Sequence, residues 1–229
     1  YQTMSKYFTT RGVFQLIPQS TLTQHNLSIL RDERSDTNTF GHALENLTYQ
    51  LLDVASNFLP TLTSTQKTPT DTHFESSTID TSQICAVSIV RAGESMEGPV
   101  RSVLGRIPIG KILIQRNEET AEPIYLYEKL PPGIDEKVVL VLEPMVATGG
   151  SATSAIGVLK GAGVKEENIV FMSVIASEEG GKVLSERFPK MKLVVGDVDP
   201  ELNDKAYIIP GLGDAGCRYF GTVKLWDQE

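Results

Sequence analysis

The chain has 229 residues, 40% of them hydrophobic and 22% charged, a balance that excludes collagen-like, low-complexity and disordered classes and supplies enough apolar residues for a full core. No run approaches the roughly 20 apolar residues that span a bilayer, so no membrane association is expected. Lys and Arg number 21 against 29 Asp and Glu, a net charge of -8, which is the opposite of the basic footprint that nucleic-acid binding rewards.

The opening residues, YQTMSKYFTT, hold no apolar segment behind a basic stretch, so no secretory signal is expected there. Two cysteines, Cys85 and Cys217, lack any Cys or His neighbour at metal-ligand spacing. That argues against a zinc site and a disulfide framework, and makes a reducing cytoplasm the expected compartment. Residues 1–83 are rich in Thr, Ser, Gln and Asn, yet within them Phe40, Leu44, Leu47, Leu51, Val54 and Phe58 recur at three- and four-residue steps. This spacing predicts a docking helix over 39–59. Residues 60–82, PTLTSTQKTPTDTHFESSTIDTS, show little periodicity and read as an exposed, mobile loop or insertion. His25, His42 and His73 all lie in this polar third and read as surface or packing residues.

From residue 84 the texture changes. Short β-branched runs at 84–90, 111–115, 137–142, 169–176 and 192–196 read as buried strands, and helical patterning falls between them at 94–104, 151–162 and 178–188. Strands alternating with helices imply an α/β fold with a parallel sheet covered on both faces. Ligands collect at the carboxyl ends of such strands.

Four loops carry chemistry. In VLEPMVATGGSATS an apolar strand runs into Glu143 and then into Thr148, Gly149, Gly150 and Ser151, which open a helix. Glycine lets the main chain approach an anion, and the helix dipole favours negative charge there, so a phosphate fits this cradle. The carboxylate of Glu143 is suited to the hydroxyls of an attached sugar. An isolated T-G-G-S is equally an ordinary turn; the preceding acid favours the ribose-phosphate reading. The loop is neither a Walker loop, which needs a following Lys, nor a G-x-G-x-x-G dinucleotide turn.

The second loop, Arg91-Ala92-Gly93, sets a forked cation at a tight turn and suits a diphosphate, with a plain surface Arg as the alternative. The third, residues 115–130, reads either as a mobile arm that swings Arg116 over a leaving group or as a solvated hairpin braced by Arg116, Glu118, Glu119 and Lys129. The fourth, YIIPGLGDAGCRYFGT, packs glycines around Asp214. Gly213, Asp214 and Ala215 offer main-chain donors and acceptors with little bulk, enough to read a flat heterocycle by backbone.

Together, VSIVRAGESME, IGKILIQRNEETAEP, YEKLP, EPMVATGGS and the fourth loop resemble, in order over about residues 84–224, the uracil phosphoribosyltransferases of the type I phosphoribosyltransferase fold. The resemblance implies one domain over 1–229: an N-terminal arm, helix and Thr-rich insertion (1–83), a core (84–200) and a base-binding hood (201–229). It implies transfer of the phosphoribosyl group of phosphoribosyl pyrophosphate to N1 of uracil, giving UMP and pyrophosphate in pyrimidine salvage. Arg91 and Arg116 would contact the diphosphate. Glu143, Pro144, Met145, Val146, Ala147, Thr148, Gly149, Gly150 and Ser151 would hold the ribose and 5-phosphate. Ile208, Gly213, Asp214 and Ala215 would frame uracil, with Asp214 also against the donor. Arg116, Glu143 and Asp214 stand as the catalytic candidates.

Mg²⁺ would travel with the donor's diphosphate, and no dedicated metal site is expected. The resemblance also implies a homodimer or homotetramer and, in some members, a GTP effector. The chain departs from the family pattern at Glu143 and Cys217, where Asp is usual, and at Asn117, where an acid is common. These departures sustain a competing reading: a weak or silent nucleotide-binding relative that regulates a partner.

Overall fold

A computed structural model describes residues 14–116 and 123–222, without the side chains of Arg116 and Pro123. The chain opens on a short strand β1 (Phe14–Leu16), helix α1 (Thr21–Arg31) and helix α2 (Thr37–Ser56). Each helix starts on a side-chain cap: Ser20 accepts from the Thr23 amide and Asp36 from the Thr39 amide. The expected 39–59 helix is α2, and its buried Phe40, Leu44, Leu47 and Leu51 trace the predicted stripe.

Residues 60–82 differ from expectation. They form a hairpin of β2 (Thr61–Lys67) and β3 (His73–Ile79) rather than an irregular loop. The β-branched threonines suit extended backbone, and cross-strand hydrogen bonds from Ser64 to Ser76 (3.0 Å) and Thr65 to Glu75 (2.8 Å) hold the register. Nearly every residue of both strands is exposed. Replacing residues 61–79 with a short glycine linker is therefore expected to lower the melting temperature by no more than about 3 °C, measured by thermal denaturation.

The core follows as β4 (Ile84–Val90), a single-turn helix Ala92–Met96, α3 (Glu97–Leu104), β5 (Ile109–Arg116), β6 (Pro123–Lys129), β7 (Val138–Leu142), the two-residue β8 (Met145–Val146), α4 (Gly150–Gly161), β9 (Ile169–Ser177), α5 (Glu178–Arg187) and β10 (Lys192–Asp199). The main sheet runs β1-β10-β9-β7-β4-β5-β6, parallel except for the antiparallel β5–β6 pair. Alternate strand residues face opposite layers. Ile84 and Ala86 join Phe40, Leu44 and Val100 on one face, while Cys85, Val87 and Ile89 join Ala155, Ile156 and Leu184 on the other.

This layering decides where a ligand binds. After β4 the chain crosses on the α3 face, and after β7 it crosses on the α4 face, although β4 and β7 are hydrogen-bonded neighbours. The connections leave in opposite directions and open a crevice between the carboxyl ends of these two strands, the preferred ligand position in such sheets. The hood follows, with β11 (Glu201–Leu202), β12 (Ile208–Ile209) and α6 (Ala215–Phe220). In the third loop, Gln115 pairs with Ile124 at its base; the Arg116 side chain, on which both the arm and the braced-hairpin readings rest, lies outside the described residues. The loop tip, with Asn117, Glu118 and Glu119, lies outside them too.

Candidate active site

Register places Ser88 of β4 opposite Leu142 of β7, so the Arg91 turn and Glu143 both leave the sheet at the carboxyl ends that border the crevice. The amide of Glu143 is tied to the carbonyl of Met172 (3.2 Å), which anchors the strand end. Its half-buried carboxylate turns along the loop and accepts from the Met145 amide at 3.4 Å. A cavity of about 150 Å³ is lined by Glu143, Met145, Val146, Ala147, Gly149, Gly150, Ser151 and Ala152.

Gly149 is the N-cap of α4 and lies in the left-handed region (φ 79), making no side-chain cap. The first amides of a helix have no intrahelical acceptor. With no acid in the first turn either, this end of α4 is left to an anion. A long hydrogen bond from the Gly150 amide to the Thr148 hydroxyl (3.4 Å) is the nearest internal substitute. Pro144 does not line the cavity; its carbonyl accepts from the Val174 and Ile175 amides, both at 3.0 Å. Met145 and Val146 form β8 against β9; Val146 is buried and Met145 half-buried, so the pairing fixes this wall of the cavity.

Two supports were not foreseen. The Ser177 hydroxyl donates to the Ala147 carbonyl (2.5 Å) and accepts from the Gly180 amide (2.9 Å), pinning the cradle to the start of α5. A Cβ at Gly180 would overlap the Ala147 carbonyl oxygen. The adjacent Gly180-Gly181 inside a helix was the available signal, since glycine weakens helices and is tolerated where backbones must approach.

The Arg91 turn is built as closely. A Cβ on Gly93 would overlap the Leu142 carbonyl, so this turn rests directly on the end of β7. Beneath it Lys111 pairs with Glu94 (2.7 Å) and with Glu97, which also accepts from the buried Ser88 hydroxyl (2.5 Å). Burial works against the Lys111 ammonium, but bonding and charge pairing with the two glutamates outweigh it and hold its pKa above the ordinary value.

Arg91 itself is exposed and reaches across to the hood. Its guanidinium donates to the Thr222 hydroxyl (2.9 Å) and the Cys217 sulfur (3.1 Å) and lies over the Phe220 ring at 5.6 Å. Gly216 places the hood against the same turn, its Cβ position being 3.6 Å from that of Ala92. Cys217 is thus a partner of Arg91, whereas Cys85 is buried in the sheet, its thiol pushed up to about 11 by desolvation.

Asp214 caps α6 by accepting from the Cys217 amide (2.7 Å), and the residue is exposed. It is not part of the cavity lining; the Ala92-Gly93 turn bridges the two regions. Ile208 pairs with Leu202 and is buried, Ala215 is buried, and Gly213 is exposed with φ 75. Arg116 ends β5, and its side chain lies outside the described residues. His25, His42 and His73 are exposed, on α1, α2 and β3, and none of them lines the cavity.

Comparison with known proteins gives the family. The family model for uracil phosphoribosyltransferase matches residues 17–222. The chain belongs to that family. A uracil phosphoribosyltransferase of Dictyostelium discoideum is 49% identical over 195 residues, covering 85% of this chain and 90% of the relative. The uracil phosphoribosyltransferase of Saccharomyces cerevisiae is 42% identical over 205 residues, covering 90% and 94%. Among solved structures, a protein from Aquifex aeolicus superposes with a TM-score of 0.80 at 31% identity, covering 90% of this chain and 97% of that one. Among the described residues no helix is long and apolar enough to cross a membrane.

Proposed function

We propose that this uracil phosphoribosyltransferase-family chain transfers the phosphoribosyl group of phosphoribosyl pyrophosphate to N1 of uracil, giving UMP and pyrophosphate. The observation that carries this is the meeting of three loops at one crevice. The uncapped start of α4 would take the 5-phosphate, Glu143 the ribose hydroxyls, and the Arg91 turn the diphosphate, with the glycine-rich hood docked beside it.

The C1′–diphosphate bond breaks as uracil N1 bonds to the opposite face, and the N1 proton passes to water or to the departing pyrophosphate. Positive charge gathers on the ribose ring while negative charge gathers on the departing pyrophosphate. No protein nucleophile is required. Positioning by the α4 amides and electrostatic stabilisation of the two developing charges supply the acceleration. Glu143 would face the cationic ring, and Arg91 and Arg116 would neutralise the leaving group. Asp214 and the backbone of Gly213 and Ala215 would hold the base.

Among the described residues no group of three or more His, Cys, Asp and Glu side chains is arranged around a metal position. Mg²⁺ takes hard oxygen ligands and keeps several waters, so Glu143 in the cavity fits an ion held mainly by the donor's own oxygens. Bound there, the ion would neutralise charge on the leaving diphosphate. Pairing of copies belongs to the same proposal. One edge of β6 lacks a partner strand among the described residues, and Ile124, Tyr125, Leu126 and Tyr127 are exposed along it.

The test is incubation with phosphoribosyl pyrophosphate, Mg²⁺ and labelled uracil, where labelled UMP is expected; adding GTP to the same assay reads out the effector. Nucleotide binding without UMP would assign the chain to silent relatives instead. Arg91→Ala should raise KM for phosphoribosyl pyrophosphate about ten-fold, the loss of one charge-assisted contact, in initial-rate measurements.

A further inference from the structure

Behind the hood lies a network that the reaction scheme above does not use. Arg31, the last residue of α1, forks onto Asp199 with Nη1–Oδ2 at 2.8 Å and Nη2–Oδ1 at 2.7 Å, and Nη2 also reaches Asp197 Oδ2 at 2.8 Å. The same guanidinium donates to the Gly211 carbonyl (2.9 Å), while Asp199 accepts from the Gly211 amide (2.7 Å). Both backbone groups of one glycine are therefore held by one ion pair. The side chain of Asp199 is only 4% exposed.

The next carbonyl is held as well. Arg218 donates to Leu212 O (2.7 Å), to Asp32 O (2.6 Å) and to Leu30 O at the end of α1, and stacks 4.3 Å from the Phe40 ring centre. Its pKa is lowered by burial. In a trans peptide the C=O and the following N–H point in opposite directions. Fixing Leu212 O toward α1 accordingly aims the Gly213 amide away from it, out of the hood. Arg31 makes this possible by first setting the peptide plane at Gly211.

Stability alone is a poor account of such a cluster. A buried ion pair contributes little net stability over an apolar pair of the same volume, whereas a bidentate fork fixes geometry tightly. We propose that Arg31, braced by Asp199, is a positioning residue for base recognition, holding Gly211 so that the Gly213 amide is presented to a carbonyl of a flat pyrimidine ring. This rests on the phosphoribosyl-transfer reading above.

Arg31→Lys keeps the charge but loses the fork; Asp199→Asn keeps one acceptor and loses the charge. Both are compared with wild type in initial-rate assays, with thermal melting measured in parallel. KM for uracil is expected to rise about ten-fold or more in each variant, since small misplacement of a binding group is costly. KM for phosphoribosyl pyrophosphate should stay within about two-fold, because its cradle is on α4 at the other side of the crevice. Arg31→Ala should be worse than Arg31→Lys for uracil. Equal changes in both KM values, or a lower melting temperature with an unchanged KM for uracil, would overturn the assignment while leaving the transfer reaction standing. A wild-type chain that makes no UMP would remove the transfer reading and this proposal with it.

Discussion

Glu143→Ala is expected to lower kcat/KM for UMP formation by roughly a hundred-fold or more, about 3 kcal/mol of transition-state stabilisation, with little change in melting temperature. The backbone of this residue is secured by the Met172 carbonyl, so the substitution leaves the strand end in place. The side chain is half-buried and lines the cavity, so truncation leaves no void in the sheet core. On the proposed reading, what is lost is a negative charge that would lie beside a ring that becomes cationic. Glu143→Gln separates charge from shape: it should recover the hydroxyl contacts but not the rate. Initial rates with both substrates varied, alongside thermal melts, check this. An Ala variant within three-fold of wild type would remove Glu143 from the reaction.

Gly149→Val should be nearly as damaging, through the other half of the site. At φ 79 any residue with a Cβ carries a cost of roughly 1–2 kcal/mol, more if β-branched. A Cβ there also stands 3.3 Å from the Gly180 carbonyl oxygen and 3.4 Å from Val183 Cγ1, and the Ser177–Gly180 support leaves neither neighbour much freedom. The turn must rotate, and with it the amides that would hold the 5-phosphate. KM for phosphoribosyl pyrophosphate should rise about fifty-fold, while uracil affinity in the presence of saturating donor changes little. Gly157→Ala is the control on the same helix. Its Cβ position is open, so it should leave KM unchanged and add up to about 1 kcal/mol of stability.

The core strands were legible because continuous β-branched runs bounded by turns have few other uses. The predicted 84–90 strand is β4 to the residue, and 169–176 is β9 less its final Ser177. The cradle was legible because glycines placed between a strand and a helix mark a main chain that leaves its first helical amides uncapped. The β2–β3 hairpin was hidden because its Thr and Ser are polar on both faces and show no period-two hydrophobic alternation. Helix α1 was missed as well, since only Leu27 and Leu30 of its apolar residues are fully buried. Least visible were contacts between distant positions. Arg31 and Gly211 are 180 residues apart, and no local pattern announces that one holds the other. Asp214 shows the converse: recognised by its glycine-rich neighbours, it spends one carboxylate oxygen on capping α6, a role local spacing did not suggest.

The most direct test is a crystal structure of the chain with UMP bound. The phosphate oxygens should lie within hydrogen-bond distance of the amides of residues 148–151, and the ribose diol should face the Glu143 carboxylate. A nucleotide seated elsewhere, or one whose phosphate avoids the start of α4, would contradict the account.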